Sequence, residues 1–142
     1  MQRDDMLARV EAAYAARRSG DLPAFADLVA NDSSFSYAAD QELLRGMPGA
    51  GDRAVHDAAQ DLFENVELQS LERVEAVAEE NRVAIMWKST VAIPGREPFD
   101  TMFFDLWEFN DEGKIRKGTQ FIDTAKFVEV MRQPAGNGAG IA

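Results

Sequence analysis

The stretch FDTMFFDLWEF (residues 99–109), NDEG (110–113) and KIRKGTQFID (114–123) decides the fold. Residues 99–109 form the most apolar strand of the chain. The four residues that follow carry the turn chemistry that folds the chain back onto residues 114–123. Two long sequential antiparallel strands result. Side chains alternate across a strand, so setting Trp107 inward brings Phe103, Asp105 and Phe109 inward with it. The same parity turns Met102, Phe104 and Leu106 outward, and Phe121 adds to that outer face. A single acid then stands in the middle of an aromatic surface.

Upstream, Pro94-Gly95 makes a turn, and residues 82–93 are rich in β-branched and aromatic side chains. Trp87, Ser89 and Val91 fall on the face that holds Asp105. Asn81 marks another turn. Before it Val66, Leu68, Val74, Ala76 and Ala78 share one strand parity, with Leu71 and Val77 on the other.

Towards the N-terminus the period changes. Met6, Leu7, Val10, Ala13 and Tyr14 recur at helical spacing over residues 3–18, and Gly20 ends that helix. Asp21 caps a second helix with Pro23 in its first turn and Phe25, Leu28 and Val29 as its buried stripe. Asn31-Asp32 breaks it, and residues 33–39 alternate as a short strand with Phe35 and Tyr37 on one side. A glycine-rich loop over 45–51 leads to a third helix over 52–63. A short helix over 125–132, capped by Asp123, follows the last strand.

The expected fold class is α+β, a meander of long antiparallel strands after N-terminal helices and one early strand. One domain spans 1–133, and a Gly/Ala-rich flexible tail spans 134–142. Its 142 residues suit a single domain.

A net charge of −10 repels phosphate backbones and anionic lipid surfaces, so nucleic acid and membrane are excluded as partners. Without cysteine, and with His56 as the lone histidine, the chain offers no disulfide, no thiol nucleophile and no clustered histidine site. No metal and no cofactor are expected. The opening MQRDD lacks the apolar core of a signal peptide, and no run approaches the ~20 apolar residues of a membrane span. The expected location is the cytoplasm. The segment GAGDRA (49–54) superficially fits a dinucleotide fingerprint, yet it follows a loop and lacks βαβ context, so it reads as linker.

The order of elements resembles the nuclear transport factor 2-like superfamily, and within it the SnoaL-like branch, the relatives of polyketide cyclases and ketosteroid isomerases. The residues that carry the resemblance are Ala13-Tyr14-Ala15-Ala16, Ser19-Gly20-Asp21-Leu22, Ala30-Asn31-Asp32, Asp105-Leu106-Trp107-Glu108-Phe109, Glu112-Gly113-Lys114-Ile115 and Phe121-Ile122-Asp123-Thr124. The resemblance spans about residues 3–132. It implies a cone-shaped, cystatin-like α+β roll whose concave face lines a pocket. It also implies pairing into a homodimer through the convex sheet face.

Against that pattern, Asp105 stands where ketosteroid isomerases keep a pocket acid. A carboxyl among Trp87, Phe103, Trp107 and Phe109 loses hydration, which raises its pKa and suits it to proton transfer. The bland alternative has Asp105 accept hydrogen bonds from Ser89, Gln120 or a backbone N–H and simply fix the sheet.

The alignment puts Ala13 at the catalytic tyrosine position, with Tyr14 one residue away, and puts Tyr37 at the base position, with Asp40 three residues later. Steroid isomerisation is therefore not expected. Epoxide hydrolysis is disfavoured as well, since no strand holds Arg-x-Asp. His56 reads as a solvated helix residue.

Two functions stay open. One is a cofactor-free cyclase or isomerase acting on an apolar carbonyl compound. Asp105 would be its acid/base, Ser89 and Gln120 would orient, and Tyr14, Tyr37, Trp87, Val91, Phe103, Trp107, Gly118 and Ile122 would complete the pocket. The other is a domain that holds a small apolar molecule, or associates as a dimer, without catalysis.

Overall fold

In the computed structural model, residues 1–51 and 53–133 are described; the expected tail over 134–142 and Asp52 lie outside them. Helix α1 spans Arg3–Ser19 and buries Met6, Leu7, Val10, Ala13, Tyr14 and Ala16. Asp4 and Asp5 in its first turn and Arg17 and Arg18 in its last complement the helix dipole. Gly20 ends it in the left-handed conformation at φ 73°, where a β-carbon would be strained.

The Asp21 carboxylate accepts from the Ala24 N–H at 3.0 Å and caps α2, Leu22–Ala26. This helix is shorter than its apolar pattern suggested. Val29 already belongs to β1, Val29–Tyr37, and Asn31-Asp32 forms an irregularity inside that strand rather than a break before it.

Helix α3 runs Val55–Asn65. The long strands β2 (Glu67–Glu79), β3 (Arg82–Ala92), β4 (Phe99–Phe109) and β5 (Ile115–Ile122) follow, and α4 (Thr124–Arg132) is capped by the Asp123 side chain. The strand order is β1-β5-β4-β3-β2. β2 to β5 form the expected antiparallel meander. The sheet as a whole is mixed, because β1 adds to the edge of β5 in parallel, pairing Phe35 with Gly118 and Tyr37 with Gln120.

Alternating burial along β3 and β4 puts Val83, Ile85, Trp87, Ser89 and Val91 on the inner face with Phe103, Asp105, Trp107 and Phe109. The helices close over this face, and the core lies between. β2 departs from its sequence pattern. Register shifts between Leu68 and Ser70 and between Arg73 and Glu75 switch its parity, so Leu71 pairs opposite buried Ser89 and Ala76 opposite buried Ile85. Val74 and Val77 are left exposed at 48% and 61%. Bulges of this kind bend a strand and add twist. No helix among the described residues is long and apolar enough to cross a membrane.

Candidate functional site

Asp105 occupies the centre of the inner face and is fully buried. Its cross-strand neighbours are Ile85 and Gln120, and Trp107 lies two residues along the same strand. Four donors converge on the carboxylate. Oδ2 accepts from the Tyr14 hydroxyl, from the Trp87 indole N–H at 3.1 Å and from the Trp107 indole N–H at 3.1 Å. Oδ1 accepts from the Gln120 amide at 2.8 Å. The Tyr14 ring packs 4.8 Å from that of Trp87 and 6.2 Å from that of Phe103.

Burial raises the Asp105 pKa above the usual carboxylate range, and the donors from Tyr14, Gln120, Trp107 and Trp87 pull it part of the way back. Tyr14 is held well above its ordinary value, first by burial and then by the charge and hydrogen bond of Asp105. The phenol therefore stays protonated. Asp105 is the group of the pair whose charge is open to change.

Local packing fixes this cage. Gly118 lies under the Trp107 ring, and a β-carbon there would collide with it. That absence of a side chain lets the indole lie flat against β5 and aim its N–H at Asp105.

A cavity of about 40 Å³ adjoins the cage, between α1, α3 and the sheet. Tyr14, Arg17, Gln120 and Trp107 contribute its polar atoms, and Phe25, Phe35, Val55, Ala58, Ala59 and Leu62 its apolar wall. Asp105 is not among the lining residues. The carboxylate stands behind Tyr14, Trp107 and Gln120, so a molecule in the cavity meets the tyrosine and the amide before the acid.

Of the residues expected from sequence, the structure brings Tyr14, Trp87, Trp107 and Gln120 onto Asp105, with Phe103 beside them. Tyr14 is not displaced from the acid as the alignment implied, because its helical position points it directly at β4. The tryptophans are hydrogen-bond donors as well as walls.

Several residues go elsewhere. Ser89 sits four pairs further along β3, opposite Thr101, and donates to the Ser70 carbonyl at 2.6 Å, so it does not orient Asp105. Val91 is buried further along, opposite Phe99 and Leu68. Ile122, opposite Phe103, is half-buried against the core and lines a surface hollow rather than the cavity beside Tyr14. Tyr37 donates to the Pro48 carbonyl at 2.8 Å and pins the loop after β1, which also buries Leu44 and Met47. Asp40 is exposed and accepts from the Glu42 N–H, and His56 is exposed on α3.

Arg17 escaped the sequence reading. It falls on the stripe of Val10, Ala13 and Tyr14, and a charge on an otherwise apolar helical stripe was the available signal. Among the described residues no cluster of carboxylate and histidine side chains could hold a metal ion.

The profile of the SnoaL-like domain matches residues 10–118. No curated protein matches the sequence. Among solved structures, a nuclear transport factor 2-like protein of unknown function from Burkholderia pseudomallei is similar at 18% identity and TM-score 0.77, over 94% of this chain and 100% of that one. TerC, co-crystallised with polyporic acid, is similar at 16% identity and TM-score 0.74, over 91% and 99%. An epoxide hydrolase of Mycobacterium tuberculosis is similar at 15% identity and TM-score 0.69, over 91% of both. At these identities the likeness is one of fold.

Proposed function

This chain belongs to the SnoaL-like domain family, and from that premise we propose that it transfers protons to and from an apolar, carbonyl-bearing small molecule, as a cyclase or isomerase does. The observation that carries the reading is the buried Tyr14–Asp105 hydrogen bond at the wall of a largely apolar cavity. The Tyr14 oxygen takes a hydrogen from the carbon next to the substrate carbonyl while its own hydrogen passes to Oδ2 of Asp105. The C–H bond breaks, the negative charge leaves the carboxylate for the substrate enolate, and Asp105 ends neutral. The reverse transfer at another carbon isomerises the substrate, and attack of the enolate within the same molecule cyclises it.

Two features support this assignment. A carboxylate raised by burial accepts a proton near neutral pH more readily than an ordinary one, and a tyrosine that resists ionisation hands the proton on without holding charge. Gln120, whose amide lies 3.4 Å from the Tyr14 oxygen, keeps the pair oriented.

A second reading is favoured by one observation. The cavity of about 40 Å³ is far below the ~300–1,000 Å³ of ordinary ligand pockets. In that reading the protein converts nothing: it is an association domain that pairs as a dimer, and the Tyr14–Asp105 cage serves as core structure.

Deuterium exchange separates the two. With 2-tetralone in heavy water, the wild type is expected to speed exchange at the carbon beside the carbonyl, and Y14F to lose about 10²-fold of that acceleration or more. Finding neither binding of the ketone nor exchange above buffer would favour the second reading.

We further propose that the protein works in the cytoplasm as a homodimer. Met102, Phe104 and Phe121 are exposed at 46%, 36% and 49% on one outer face, with the two phenylalanine rings in edge contact at 6.2 Å. Sedimentation should give two chains for the wild type and one for F104E/F121E. A wild-type monomer at micromolar concentration would contradict the pairing.

A further inference from the structure

The last turn of α1 holds two arginines with different surroundings. Arg18 is exposed and donates to the carbonyls of Leu68 and Gln69, each at 3.2 Å, which ties the helix to β2. Arg17 is half-buried. Its Nη2 donates to the Val66 carbonyl at 3.1 Å, while its Nε is buried and has no hydrogen-bond partner among the described residues. A buried charged donor without an acceptor is costly, so the position of Nε calls for an acceptor from outside the chain.

Arg17 also stands at a boundary. On one side is the cavity beside Tyr14 and Gln120. On the other is a surface groove of about 510 Å³ between the end of α1 and the start of β2, lined by Ser19, Gly20, Phe63 and Leu68 among others. Among the described residues Arg17 alone lines both. A long side chain held by a single hydrogen bond to a carbonyl can turn aside. Turning Arg17 aside would open the cavity towards the groove.

We propose that Arg17 admits and recognises the ligand: an apolar molecule bearing a carboxylate or an acidic enol enters from this groove, and its anionic oxygen accepts the Nε hydrogen of Arg17. The proposal rests on the reading of the cavity as a small-molecule site and adds the charge of the molecule it takes. In a chain of net charge −10, the Arg17 guanidinium gives an anion a locally favourable contact at this end of the helix. Burial lowers the Arg17 pKa, and the neighbouring Tyr14, Tyr37 and Asp105 act against that lowering, so the guanidinium remains a cation for the incoming anion.

The chain's two tryptophans both donate to Asp105, so selectively excited tryptophan fluorescence reports this site. Benzoate and benzamide share size and shape but differ in charge. Titrated at neutral pH, the wild type is expected to bind benzoate about tenfold or more tightly than benzamide. R17M should lose that preference while keeping its affinity for benzamide, and R18M, at the rim, should keep the preference.

Equal wild-type affinities for the two compounds overturn the role of Arg17 without recourse to any variant, and so does an R17M protein that still prefers benzoate; in both cases the small-molecule reading survives. A wild type that binds neither compound removes the small-molecule reading, and the role of Arg17 falls with it.

Discussion

Tyr14 donates its hydroxyl hydrogen to Oδ2 of Asp105 across 91 residues of chain, joining the first helix to the centre of the fourth strand. The hydrogen bond is buried and shares its acceptor atom with two indole N–H groups. Stability and proposed chemistry thus meet on one carboxylate.

Removing that acceptor should be severe. In D105A the Tyr14 hydroxyl, both indoles and the Gln120 amide lose a buried acceptor, at about 1–3 kcal/mol for each unsatisfied group, so a loss of more than about 4 kcal/mol is expected in chemical denaturation. D105N should cost much less. Its carbonyl oxygen can take the place of Oδ2, and a flipped Gln120 amide can then accept from its NH₂.

The same pair of proteins gives a pH signature. Burial holds the Asp105 pKa above its unfolded value, so between the two values the folded chain binds more protons than the unfolded chain. Stability contributed by Asp105 is whole below the unfolded value of about 3.9 and falls as pH rises to the raised folded value. The wild type should therefore lose ground relative to D105N as pH increases across that interval, followed by thermal melting at a series of pH values. A difference that does not change with pH would contradict a raised Asp105.

Gly118 should tolerate no side chain. G118A forces the Trp107 ring off β5, which is expected to cost about 1–3 kcal/mol and to shift tryptophan emission as the indole leaves Asp105. Unchanged emission in G118A would mean that the ring does not depend on the bare backbone beneath it.

Much of this arrangement was legible in the sequence because strand parity is rigid. Once Trp107 faced inward, Asp105 had to follow, and the resemblance to ketosteroid isomerases set Gln120 on the same lining, where it pairs opposite the acid. The α+β class followed from the same reasoning. Parity failed along β2, where two bulges exchange the faces without any glycine or proline to mark them.

It also failed to distinguish facing inward from facing the cavity. Ser89 and Val91 share the inner face of Asp105 but pack further along the sheet, and Tyr37 spends its hydroxyl on Pro48. Aligning motifs displaced Tyr14 by one residue, whereas the helix turns it onto the acid. Hydrogen-bond direction was illegible as well. Nothing in the sequence said that two indoles would donate to the carboxylate they desolvate, whereas Arg17 could have been found from its place on the Val10, Ala13 and Tyr14 stripe.

The central claim is that Asp105 is a proton acceptor raised by burial and coupled to Tyr14, and carbon NMR titration of the Asp105 carboxyl in wild type and Y14F tests it most directly. The expected result is a titration above the ordinary aspartate range in the wild type and higher still in Y14F, where the strongest opposing donor is gone. An Asp105 that titrates at or below the ordinary range, or that does not respond to loss of the Tyr14 hydroxyl, would contradict the account.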